Sequence, residues 1–89
     1  MKTSQENKRF GWLRERAAKK MEKTMEVVNA YQYMRGLTTM WECKRELSRR
    51  TGISEIRAST IMAWVERYGF EYCVGYCTKT INSLKGGEA

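Results

Sequence analysis

Leu13, Ala17, Met21, Met25, Val28 and Tyr31 follow one another at steps of three or four residues, the spacing that places apolar side chains on one helical face. Ala17, Ala18 and the intervening Lys, Glu, Met and Arg residues favour a helix, and no proline occurs anywhere in the chain. Glu15 and Lys19 stand four apart with the favourable polarity. Arg35 followed by Gly36 supplies a stop. The pattern predicts one long helix from about residue 8 to 35, weakened near Gly11, with a break near Lys23 as the alternative, behind a loose polar segment 1–7. Thr39-Met40-Trp41-Glu42 has the form of a capping box and opens a second helix to about Arg50. Gly52 permits a left-handed turn, and Ser54 is a good N-cap for a third helix ending before Gly69.

Residues 70–84 carry two patterns at once. Phe70, Cys73, Val74, Cys77, Ile81 and Leu84 fit one helical face, whereas the Tyr, Val, Thr and Ile content suits strand and Gly75 disfavours a helix interior. A tight hairpin at Gly75 would draw Val74 or Tyr76 into a turn that wants positive φ, so a fourth helix is the expectation and a short wing the alternative. The tail 85–89 is expected to be flexible. The fold expected is therefore all-α: a small helical bundle spanning residues 8–84 as a single domain, with a long basic N-terminal helix.

Composition narrows the function classes. With 89 residues there is room for one domain with a thin core. The chain has no histidine, which removes His-based triads, His-based zinc sites and neutral-pH proton shuttles. No enzyme activity and no cofactor are expected. Cys43, Cys73 and Cys77 are odd in number. Cys73 and Cys77 are spaced one residue wider than a zinc knuckle and lack a fourth ligand, so reduced, buried thiols in a cytoplasmic setting are expected. No apolar run approaches the ~20 residues that cross a bilayer, and no secretory leader is expected. Phe10, Trp12 and Leu13 among basic residues could touch an anionic membrane surface, but Glu15 and Glu22 interrupt that face, and no membrane partner is expected.

Lys and Arg outnumber Asp and Glu by 17 to 10, and the excess is not spread evenly. Residues 1–52 hold 13 basic and 6 acidic groups, whereas residues 53–89 hold 4 of each. A basic half on a small domain points to nucleic acid first. Trp12, Trp41 and Trp64 fall on separate predicted helices, as core or interface anchors rather than a base-stacking platform.

One stretch, Leu47 to Phe70, concentrates the information. Leu47 and Ile53 can clamp the turn from both sides, and Ser48 is small enough for two helices to cross closely. Ala58, Met62 and Val65 fall on the inner face of the third helix, which Gly69 ends before Phe70 folds back. Leu47-Ser48, then Gly52-Ile53-Ser54, then Gly69-Phe70 resembles the helix-turn-helix family of DNA-binding domains, including its winged-helix branch. The resemblance covers about 24 of the 89 residues. It implies a third helix lying in the major groove, with Glu55, Ile56, Arg57, Ser59 and Thr60 facing base edges. Lys44, Arg45, Arg49, Arg50 and Ser54 would then face the sugar–phosphate backbone. The third helix itself balances Arg57 and Arg67 against Glu55 and Glu66, so the positive charge must come from the second helix, and from Lys19, Lys20 and Lys23 if the first helix folds alongside. The expectation is a sequence-specific transcriptional regulator of small prokaryotic, plasmid or viral type, binding duplex DNA as a homodimer. The alternative is a small inhibitor or adaptor that sets its basic helices against an acidic protein partner.

Overall fold

The computed structural model describes residues 3–86, with side chains from Gly11 onward. It contains four helices and, among the described residues, no strand: α1 (Thr3–Met34), α2 (Met40–Thr51), α3 (Glu55–Tyr68) and α4 (Phe70–Leu84). The expected all-α architecture is present. Residues 70–84 resolve to helix, not wing, because Cys73, Cys77 and Ile81 bury along one face while Gly75 stays exposed. The first helix begins at Thr3, well before the expected start near residue 8, so the segment expected to be loose is helical over 3–7. Of the tail expected to be flexible, residues 87–89 lie outside the described residues, and Lys85 is held to Glu22 at 2.7 Å.

Each boundary has a local cause. Gly36 takes φ +83° and turns the chain out of α1, with the Leu37 amide donating to the Met34 carbonyl at 3.0 Å. Thr39 caps α2, its hydroxyl accepting from the Glu42 amide at 3.1 Å. The reciprocal half of the expected box is replaced, since the Glu42 carboxylate accepts instead from the Thr38 hydroxyl. Gly52 closes α2 in the left-handed region at φ +81°, its amide donating to the Ser48 carbonyl. Ser54 caps α3 by accepting from the Arg57 amide at 3.1 Å. Gly69, at φ +96° and ψ 153°, is the single residue between α3 and α4.

The core forms where the C-terminal half of α1 meets the other three helices. Val27, Val28 and Tyr31 from α1 pack with Cys43 and Leu47 of α2, Ala58, Ile61, Met62 and Val65 of α3, and Cys73 of α4. The buried stripe of α1 is rotated from the expected one: it runs through Ala18, Thr24, Val27, Val28 and Tyr31, while Leu13 is exposed. Thr24 joins it because its hydroxyl is satisfied by the Lys20 carbonyl at 3.2 Å, which removes the cost of burying a polar group. Helix α4 runs antiparallel to α1, since Thr78 meets Met25 and Lys85 meets Glu22. Helix α3 runs in the same sense as α1: Arg57 reaches Thr24, and Glu66 reaches Tyr31 and Arg35. Burial on α1 starts at Ala18, and Trp12, Leu13, Arg14, Glu15 and Arg16 are exposed, so the first half of this helix projects beyond the core. The molecule is accordingly long, 55 × 23 × 16 Å.

Candidate nucleic-acid interface

Helix α2, the turn Gly52-Ile53-Ser54 and helix α3 form one tightly tied unit. Leu47 is fully buried behind the turn, and Ile53 packs against the core from its other side. The Ser48 hydroxyl donates to the Ile53 carbonyl at 2.6 Å, pinning the turn to α2. This polar tie explains a small hydroxyl residue at that position better than helix crossing alone.

The unit leaves one face of α3 uncovered. Ile56, Ser59, Thr60, Ala63 and Arg67 are all exposed at steps of three and four, and Ile56 is 81% exposed. An apolar side chain so open at the start of a helix has no packing role within the chain. Glu55, Ile56, Ser59, Thr60 and Ala63 line a shallow groove whose opposite wall is Lys44 of α2. The Thr60 hydroxyl donates back to the Ile56 carbonyl at 3.0 Å and keeps its lone pairs outward.

Arg57 does not join this face. At about 100° per residue, Arg57 lies ~160° around the helix from Ser59, so the two cannot share one face. Arg57 falls on the flank toward α1, half-buried, and its Nη2 donates to the Thr24 hydroxyl at 3.3 Å. Among the expected base-facing residues, Glu55, Ile56, Ser59 and Thr60 come together and Arg57 stands apart. Ser54 is occupied as the cap of α3, although it remains exposed.

The cations of α2 differ in availability. Arg49 and Arg50 both bind the carboxylate of Glu46, Arg50 through Nε at 2.8 Å. The Arg49 and Arg50 guanidinium groups hold the Glu46 carboxyl down to about 2. Arg45 stacks over the Trp41 ring at 4.8 Å, and Lys44 is half-buried beside the groove; neither is paired with a carboxylate among the described residues. Glu46 stands three and four residues before the two arginines, so this clamp was legible as helical spacing. The Arg57–Thr24 contact was not, because its partners are separated by 33 positions.

Two aromatic surfaces complete the exterior. Tyr68, Tyr72 and Tyr76 form an exposed ladder, with ring centroids 5.1 and 6.5 Å apart, and Trp64 meets Tyr76 edge to face. Around the α1–α2 connection, Tyr33, Leu37, Met40 and Trp41 are exposed. Of the three tryptophans expected to anchor a core or an interface, Trp64 packs partly into the core while Trp12 and Trp41 stay open to solvent. The three cysteines are free and buried, and burial raises each thiol above its ordinary value. Thiolate chemistry at the surface is thereby excluded for them. No helix among the described residues is long and apolar enough to cross a membrane.

Comparison of the chain with protein-family models, curated proteins and solved structures finds no match.

Proposed function

We propose that this protein is a sequence-specific reader of duplex DNA acting in transcriptional control, of the small regulator type found in prokaryotes, plasmids and viruses. One observation carries the reading: the uncovered face of α3 beside a tied turn, with cations on the neighbouring helix. In this arrangement α3 enters the major groove. Ile56 meets a thymine methyl, Ser59 and Thr60 hydrogen-bond base edges, and Glu55 accepts from a cytosine amine. Lys44 and Arg45 take phosphates, joined by Arg49 and Arg50 where these share a contact with Glu46. Arg57, turned toward α1, serves the backbone rather than a base. Two copies would read a two-fold site. The Tyr68–Tyr72–Tyr76 ladder is the surface proposed for pairing them, because Glu71 between Arg67 and Lys79 gives it both signs of charge and avoids like-charge contact.

The test is selection from a randomised duplex pool at ~150 mM salt, followed by affinity measurements against salt. Enrichment of one motif is expected, and Ser59→Ala should weaken the enriched duplex while leaving random duplex unchanged. No enrichment, with affinity that vanishes as salt rises, would overturn specific reading. In sedimentation, Tyr72→Glu should shift the protein to monomer.

A second reading has its own observation. Tyr33, Leu37, Met40 and Trp41 expose a group of large apolar side chains next to Arg45, a composition suited to a protein partner with an acidic rim. Under that reading Trp41→Ala abolishes partner capture while duplex affinity stays as it was.

A further inference from the structure

The projecting half of α1 has no role in the core, and its position relative to α3 gives it one. The two helices run in the same sense, with Thr24 abreast of Arg57. Residues of α1 before Thr24 therefore extend past the beginning of α3. Lys20 lies ~6 Å and Arg16 ~12 Å before Thr24 along the axis, at 1.5 Å per residue. Ser54, the cap of α3, lies only three residues before Arg57, so Lys20 is nearly level with the tip of α3 and Arg16 reaches beyond it. Arg16, Lys20 and Thr24 stand four residues apart and share one face, the face that Thr24 turns toward Arg57.

Chemistry along this segment is one-sided. Between Trp12 and Met21 the charges are Arg14, Arg16, Lys19 and Lys20 against Glu15 alone. Lys23 and Glu22 farther along are engaged with Glu26 and Lys85, whereas Arg16 and Lys20 are exposed and unpaired with any carboxylate among the described residues. Helix α4 packs along the later part of α1 and is tied by Lys85 to Glu22, and Ala18 is buried, whereas Arg14, Arg16, Lys19 and Lys20 stay exposed. A row of cations projecting past a helix tip fits a polyanion that continues beyond what the tip touches. A second copy of the same segment would bring like charges together.

We infer that the projecting half of α1 lies along the sugar–phosphate backbone of the duplex whose major groove receives α3, with Arg16 and Lys20 as phosphate contacts and Arg57 extending their row. This rests on the duplex-binding reading and adds to it a second, sequence-independent grip.

The experiment measures affinity of the full-length protein for a labelled random-sequence 30-base-pair duplex as a function of salt. Wild type is compared with Arg16→Gln, Lys20→Gln and Lys85→Gln, each of which removes one exposed positive charge. Each phosphate contact contributes about 0.9 to the slope of log affinity against log salt. Arg16→Gln and Lys20→Gln should each flatten the slope by about 0.9, with thermal stability unchanged because neither side chain enters the core. Lys85→Gln, just past the end of α4, should leave the slope alone. Equal flattening by Lys20→Gln and Lys85→Gln would reduce the effect to net charge and overturn the inference, as would an unchanged slope in both α1 variants. In either case wild-type binding would survive and the duplex reading with it. Absence of wild-type binding at every salt concentration would instead remove that reading and, with it, the grip.

Discussion

Tyr31 shows how a single residue joins elements distant in sequence. Its ring is fully buried among the core side chains, yet its hydroxyl reaches out to donate to the Glu66 carboxylate at 2.6 Å, and Arg35 binds the same carboxylate at 3.2 Å. Burial, with the neighbouring Glu66, pushes the phenol up to about 12. Folding therefore holds the proton on a group that the unfolded chain would lose near 10, so the associated stability is present below pH 10 and declines between 10 and 12. Tyr31→Phe should cost about 1 kcal/mol at neutral pH, because Glu66 keeps Arg35 and water as partners. Chemical denaturation of both proteins from pH 7 to 12 checks this: the gap between them should close toward pH 12, and a constant gap would contradict the linkage.

At the level of elements, the connections are set by backbone conformation rather than by contacts. Gly52 lies in the left-handed region, which L-residues enter at a cost of roughly 1–2 kcal/mol. Gly69 sits at φ +96° and ψ 153°, a region populated almost only by glycine. Neither position has an atom within 4 Å of where a Cβ would stand, so the penalty in both is conformational. Gly69→Ala should destabilise more than Gly52→Ala, by about 1–3 kcal/mol; equal midpoints in urea would contradict the assignment. Helix α2 carries a functional counterpart. Glu46 neutralises much of Arg49 and Arg50, and its lowered carboxyl keeps the clamp intact until the pH falls from about 4.5 toward about 2. Glu46→Gln frees both arginines. On the duplex reading it should raise affinity for random DNA and steepen the salt slope, whereas weaker binding would mean that the clamp itself presents the arginines.

For the molecule as a whole, the division of α1 governs shape and dynamics. A compact chain of 89 residues has a radius of gyration of ~12 Å, and this one has 15.5 Å. The difference arises because one continuous helix serves two environments: a buried stripe from Ala18 to Tyr31, and a segment before it with no helix packed against it. Helices without tertiary cover are marginal in water. Amide exchange should accordingly be fast from Trp12 to Ala17 and protected over Val27 to Tyr31, with the change falling near Ala18. Uniform protection along α1 would require a covering partner, such as a second copy.

Much of this was decided by the chain alone. Helix boundaries at Gly36, Thr39, Gly52, Ser54 and Gly69 follow from caps and left-handed positions that depend on neighbours only a few residues away. The Glu46 clamp and the inner face of α3 follow from helical spacing in the same way. What tertiary structure decided is which side of each helix is covered. The apolar stripe of α1 could be placed only to within a rotation, because Thr24 becomes core once α3 supplies Arg57 beside it. Arg57 itself could not be assigned to the open face or to the flank until α1 was set alongside α3. Residues 70–84, balanced between helix and strand by propensity, became helix because α1 offered a face on which Cys77 and Ile81 could be buried. Local geometry follows from bonds and spacing within a turn or two of chain. Partner and exposure depend on contacts between residues tens of positions apart, and no periodicity along one helix encodes them.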